Sequence, residues 1–240
     1  LEDLRKRLFY SFVALFIGVI PGWIFAKDLY EILARPVTQY LPAGTKMSYA
    51  TLTAPFMLYM KTAFLASLFV MSPFVFLQIW YFVAPGLYRK EKRYVVPFVV
   101  MTTFFFALGA AFAYVVVFPW ACRFFLQLGR DFQAVIMVDQ YFGFALKVIL
   151  GIALVFELPT LIFFLAKMGL VTARWMIRNF KYAVLAVFVV AAVITPTPDV
   201  ITQSIVAVPM LALYGLGILI ALVVGRGRER SRRAEAEKAG

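Results

Sequence analysis

Histidine is absent from this 240-residue sequence, and cysteine occurs once, as Cys122. Without imidazole there is no Ser-His dyad, no rhomboid-like protease site and no His-ligated zinc, and a single thiol cannot close an intrachain disulfide. No GxxxxGK[ST] loop is present to cradle nucleotide phosphates. Charge is scarce as well: 15% of residues are charged and only 12 are acidic. An intramembrane aspartyl protease needs two carboxylates that share a proton, whereas Glu157 is the one carboxylate well inside an apolar run. The sequence reads as a non-enzyme that holds neither metal nor cofactor.

Apolar residues are what the chain has in excess. At 64% hydrophobic residues it carries more apolar surface than one soluble core of this size could hide, which defines an integral membrane protein. The formal net charge of +12 would suit nucleic acid. The basic residues, however, sit between apolar runs and in the tail instead of along one polar face, which favours a membrane-facing role and no nucleic acid.

Six apolar runs, at about 8–26, 56–84, 95–118, 142–166, 182–194 and 201–224, predict an all-α membrane protein of six transmembrane helices. About 20 residues cross a hydrocarbon core of about 30 Å, and backbone groups in lipid must pair internally, so helices are the natural reading. The fifth run is short. At about 1.5 Å per residue it reaches only about 20 Å, which fits a locally thinned bilayer or a re-entrant hairpin made with the last run. The first run follows basic residues as a signal peptide would, but "IPGWIFAKDL" offers no small-residue cleavage site and reads as a retained span. Residues 1–224 thus form a single polytopic membrane domain, and 225–240 a basic cytoplasmic tail without fixed structure.

Orientation follows from the Lys and Arg positions. The N-terminus (Arg5, Lys6, Arg7), the 85–94 and 167–181 connectors and the tail hold seventeen of the 24 basic residues. That bias predicts that both termini are cytoplasmic. Lys61 and Lys147 lie near the outer ends of their spans, where a long side chain can snorkel to the interface.

The outer connectors have patterns of their own. In "KDLYEILARPV", Asp28 and Glu31 have capping-box spacing, and Leu29, Ile32 and Leu33 share one helical face until Arg35, just before Pro36. In "PWACRFFLQLG", Trp120, Phe124 and Leu128 recur every four residues and Gly129 offers a stop. Both predict short amphipathic helices that cap the outer end of the bundle. In "TPTPDV", Pro196 and Pro198 end one helix and Asp199 is placed to cap the next.

Glu157, in "IALVFELPTLIFF", is the residue that composition does not excuse. A carboxylate at that depth costs at least about 2.5 kcal/mol on insertion scales, so it must be neutral, face the protein interior, or meet a polar partner or water. Pro159 frees a backbone carbonyl close by. Readings as a protonated structural Glu, as a transport residue and as a docking point for a partner helix all stay open, with Gln203 a candidate partner.

Several stretches together resemble the TatC family, the polytopic core of twin-arginine protein translocation: "LEDLRKRL" at the start, "FVAPGLYRKEKRYVVP" after the second span, "VFELP" in the fourth, and "TPTPDVITQSIVAVPM" entering the sixth. The resemblance covers essentially the whole chain. It implies a glove-shaped bundle that receives twin-arginine signal peptides of folded cargo at its cytoplasmic face, as part of a multi-subunit complex. Such proteins work with TatA/TatB-type single-span partners and use the proton motive force at the bacterial or archaeal inner membrane. The family's N-terminal pattern is His-Leu-x-Glu-Leu-Arg-x-Arg: Leu1, Leu4, Arg5 and Arg7 fit it, Asp3 stands in the Glu position, and the His would precede Leu1, as in a trimmed N-terminus. The resemblance places Asp3, Arg5, Arg7, Phe82, Leu87, Tyr88 and Glu91 at the signal-peptide site. It assigns Glu157 and Gln203 to the polar positions of the concave face and Asp199 to the outer end.

The connector "GLYRKEKRYVVP" sets Glu91 among Arg89, Lys90, Lys92 and Arg93. Four cations repel a twin-arginine peptide and suit anionic headgroups instead. One carboxylate among them gives a guanidinium a bidentate partner that Lys cannot match. A salt bridge between Glu91 and its neighbours is the plainer alternative. Two other functions compete with the receptor reading: a small proton-coupled transporter with Glu157 as proton carrier, although no internal repeat of the kind such folds show is evident, and a scaffold without peptide ligand.

Overall fold

The computed structural model describes residues 2–39, 47–83, 95–129, 131–132, 135–195 and 199–239. Among them are ten α-helices: α1 (Glu2–Ile24), α2 (Ala26–Thr38), α3 (Ala54–Val83), α4 (Val95–Phe112), α5 (Phe118–Leu128), α6 (Val138–Val155), α7 (Leu158–Met168), α8 (Ala173–Arg178), α9 (Phe180–Ile194) and α10 (Val200–Ala239). A π-helical turn, Ala113–Val117, joins α4 to α5. The all-α expectation holds, and the described residues include no strand beyond one isolated bridge. The chain packs as two compact units, Leu1–Leu150 and Gly151–Gly240, with the division inside α6.

In the first unit α1 and α3 approach closely because small residues face each other. A Cβ added at Gly22 would lie 2.6 Å from the Ala63 carbonyl oxygen, and the Gly18 backbone sits directly against Ser67. Gly18 and Gly22 on α1 oppose Ala63 and Ser67 on α3, both pairs four residues apart, so each helix presents one small-residue stripe to the other. The Ser67 hydroxyl donates to the Leu15 carbonyl at 2.5 Å, a hydrogen bond that this proximity permits. In lipid, where apolar surface is not expelled from the solvent, such fit is the main source of helix association.

α2 confirms the first predicted amphipathic helix but corrects its details. Backbone bonding runs through the junction with α1, from Phe25 N–H to Pro21 O and from Leu29 N–H to Phe25 O. The helix therefore begins at Ala26 with no side-chain cap, and the expected Asp28–Glu31 box does not form. Its buried face is Ala26, Leu33, Ala34 and Val37, while Ile32 is exposed. Nor does Pro36 end the helix. It deprives the Ile32 carbonyl of its helical donor, and the Tyr114 hydroxyl, from the π-helical turn, donates to that oxygen at 2.6 Å instead. The buried Tyr141 hydroxyl donates to the next carbonyl, Leu33, at 3.0 Å. The two phenols fasten α2 to the start of α6 and to the α4–α5 junction.

The third apolar run continues without a connector into the second predicted amphipathic helix. Pro119 cannot donate to Val115, and the chain widens over one turn so that Phe118 N–H reaches Ala113 O, five residues back. α5 then ends at Gly129, as expected, its N–H bonded to Phe125 O at 3.0 Å. Ser48 pairs with the start of α6, its N–H donating to Ile136 O and its carbonyl accepting from Val138 N–H.

In the second unit Gly169 ends α7 with φ of 80°, a left-handed conformation that glycine adopts without steric cost. The Thr172 side chain caps α8 by accepting from Trp175 N–H. α9 has 15 residues, or about 22 Å of helix at about 1.5 Å per residue, so the fifth apolar run folds as a short helix. α10 is continuous for 40 residues. It runs on past the last apolar residues through Ala239.

Gly22→Val should destabilise the protein through the α1–α3 contact, by about 1 to 3 kcal/mol as for other overpacked interiors. Thermal unfolding in detergent measures it. The same change at Gly143, where an added Cβ meets nothing within 4 Å, should leave the melting temperature nearly unchanged.

Candidate functional site

Glu157 occupies a break in the fourth span, not a regular helix. Pro159 has no N–H for the Val155 carbonyl, and the Glu157 N–H turns to Leu154 O at 3.1 Å, three residues back. α6 therefore stops at Val155, and α7 restarts at Leu158 with Glu157 as its N-cap residue, although its side chain makes no cap bond. The sequence predicts one span over 142–166. The structure gives two helices with the carboxylate at their junction.

Glu157 is half-buried, and its Oε1 is buried without a hydrogen-bond partner among the described residues. Thr160 lies three residues further on, on the same side of α7. It is 1% exposed, and its hydroxyl is likewise unpartnered. Elsewhere buried threonines return their hydroxyls to the carbonyl four residues back, as Thr62 does to Leu58, Thr102 to Phe98 and Thr195 to Ala191, each at 2.9 Å. Thr160 and Thr202 do not. A buried polar atom left unsatisfied costs about 1 to 3 kcal/mol, so the Glu157–Thr160 pair is an open hydrogen-bonding capacity inside a span. Sequence reasoning did not single out Thr160, though its spacing from Glu157 was the available signal.

Gln203 is not the hydrogen-bond partner of Glu157 here. Its amide Nε2 donates to the Phe188 carbonyl of α9 at 2.7 Å, which ties the short fifth helix to α10. Phe180 at the start of α9 packs on Tyr214, while Phe188 lies by Gln203, so α9 and α10 run antiparallel. Asp199 does cap α10 as expected: its Oδ1 accepts from Thr202 N–H at 2.7 Å.

The N-terminal residues lie on the first turns of α1. Asp3 and Arg5 are exposed, and Asp3 makes no ion pair or hydrogen bond among the described residues. Arg7 is half-buried, its guanidinium 5.1 Å from the centre of the Tyr81 ring on the last turn of α3. Phe82 follows Tyr81 on that turn. Leu87, Tyr88 and Glu91 lie outside the described residues. Tyr81 is a residue the sequence reading missed.

Five helical stretches are long and apolar enough to cross a membrane: Glu2–Ile24, Ala54–Tyr81, Val95–Leu128, Val138–Met168 and Val200–Gly225. The shorter apolar helix Phe180–Ile194 accompanies them. With a carboxylate set at a break inside one of these stretches, they define a multi-pass helical membrane protein. Residues 1–209 match the family described as Sec-independent protein translocase protein (TatC). The chain is 43% identical to the TatC protein of Koribacter versatilis, over 100% of this chain and 89% of that protein. It is 40% identical to that of Helicobacter pylori strain J99, over 93% and 88%. Its fold is similar to the crystal structure of a twin arginine translocase receptor, TatC, with a TM-score of 0.81 at 33% identity, over 93% of this chain and 98% of that one. The chain belongs to the TatC family. The proton-coupled transporter reading gains no support from these relatives.

Because Gln203 bonds Phe188 and not Glu157, the two residues should act independently on stability. The losses from Glu157→Ala and Gln203→Leu should add to within about 0.5 kcal/mol in thermal unfolding of the double variant. A larger coupling would show that the two side chains do share a site.

Proposed function

We propose that this chain is the receptor subunit of a twin-arginine translocase. It is a multi-pass protein of a bacterial or archaeal inner membrane with six spans and both termini cytoplasmic. It binds the twin-arginine signal peptides of folded cargo and nucleates an oligomeric translocation site with TatA/TatB-type single-span partners, driven by the proton motive force. The observation that carries the reading is the exposed carboxylate of Asp3, free of ion pairs among the described residues, on the first turn of α1. One guanidinium of the peptide pairs with Asp3 and the other with Glu91, with Phe82, Leu87 and Tyr88 lining the approach. Arg89, Lys90, Lys92 and Arg93 hold the connector to anionic headgroups, each contributing about 1 kcal/mol near the surface.

Partners are needed on physical grounds. A folded domain of about 100 residues has a radius of gyration of about 13 Å, and six helices about 10 Å across do not enclose it. The Glu157–Thr160 pair, an intramembrane acceptor and hydroxyl without partners of their own, is where a polar residue of a single-span partner would dock.

The deciding experiment compares twin-Arg and twin-Lys peptides on wild type and Glu91→Gln in one lipid. Glu91→Gln should weaken twin-Arg binding by about 1.5 to 3 kcal/mol, the worth of a charged hydrogen bond, and narrow the gap to twin-Lys. Undiminished binding and preference would remove Glu91 from the site. Glu157→Ala, which deletes a group costly to insert, should reach the membrane normally, bind peptide as wild type does, and yet lose transport or crosslinking to the partner. Normal transport and crosslinking would leave Glu157 with a structural role.

A further inference from the structure

The contact between Arg7 and Tyr81 joins the two helix ends that carry described recognition residues, α1 with Asp3 and α3 with Phe82. Its importance lies in what Arg7 would otherwise do. Asp3 precedes Arg7 by four residues on α1, and an acidic residue four positions before a basic one is the favourable order for an ion pair on a helix. An Arg7–Asp3 pair would present a guanidinium to the carboxylate proposed to receive one from the peptide. It would be an internal copy of the ligand. Yet Asp3 has no ion pair among the described residues, and the Arg7 guanidinium lies over the Tyr81 ring at 5.1 Å, inside the range of cation–π attraction.

We infer that Tyr81 is a positioning residue for signal-peptide recognition: its ring draws Arg7 away from Asp3 and keeps that carboxylate open to an incoming guanidinium. The inference rests on the reading of Asp3 as a peptide ligand. It also changes the role of Arg7, from a peptide contact to a cation stored where it neither repels the peptide at short range nor occupies its partner. Exposed cation–π contacts and exposed i,i+4 ion pairs are of similar strength, so the ring is a sufficient competitor, and its loss is enough to redirect Arg7. Lys6, three residues from Asp3, competes equally in every variant and cancels from the comparison.

The test measures twin-Arg peptide affinity with the purified full chain in one lipid mixture. Tyr81→Leu should weaken binding roughly two- to five-fold, the scale of one exposed ion pair. Tyr81→Phe, which keeps the aromatic face, should bind as wild type. In an Arg7→Gln background, whatever affinity that variant has, adding Tyr81→Leu should change it no further, because no guanidinium remains to be diverted. Wild-type affinity in Tyr81→Leu, or an equal loss from Tyr81→Leu in both backgrounds, would overturn the inference; the second result would make Tyr81 a direct contact or a merely structural residue. Should Tyr81→Leu not fold, Tyr81→Met replaces it under the same expectations. Asp3→Asn separates the two levels. If it binds as wild type, the reading of Asp3 as a ligand fails; if it weakens binding while Tyr81→Leu does not, only the positioning role fails.

Discussion

A peptide carbonyl in hydrocarbon has no water to turn to, so each one that loses its helical donor must be given another or be placed where an open acceptor is useful. Proline creates that situation wherever it interrupts a helix, within a span or beside one, and this chain resolves it differently at different prolines. The carbonyl opposite Pro36 takes a phenol hydroxyl from Tyr114. Before Pro119 the helix widens into a π-helical turn and bonds five residues back. Before Pro159 the helix stops and restarts, and the break falls at Glu157. Repair and accommodation serve α2 and α5, while the break at Pro159 sets the Glu157 carboxylate inside a candidate span.

The second constraint is that lipid does not press helices together. What holds α1 to α3 is the absence of side chains at Gly18 and Gly22, which brings backbones near enough for Ser67 to reach the Leu15 carbonyl. The same logic holds in the second unit, where Gly151 lies against Ile194 and Gly217 against Ile162. The outward faces of α1 stay apolar and exposed, from Phe9 to Ile24, as lipid contact requires.

Much of this was legible in the sequence because the bilayer reads composition directly. Run length marked the apolar helices, including the shortness of α9, and spacing marked α2, α5 and the cap at Asp199, though not the buried faces of the two helices, where Ile32 and Leu128 are exposed. What stayed hidden was set by partners distant in sequence. Pro36 reads as a helix end only while Tyr114 is unknown, since the donor that rescues the helix lies 82 residues away. Gln203 reads as a partner for Glu157 by polarity alone, whereas the hairpin of α9 and α10 delivers it to Phe188. Of the residues proposed for peptide recognition, Asp3 and Arg7 stood out by motif. Tyr81 did not, because an aromatic residue at the end of an apolar span is ordinary until a guanidinium is found on its ring.

The Tyr114 hydroxyl bonded to Ile32 does the work of a peptide N–H that position 36 does not supply. Replacing Pro36 with any other residue would return the native donor to that carbonyl and make the phenol redundant. Replacing Tyr114 while Pro36 remains would leave the acceptor bare. The order of change therefore matters: along a lineage the proline can leave first at little cost, whereas the tyrosine cannot. Two positions on different elements are thereby bound into one unit of inheritance, with a preferred direction in which it can come apart.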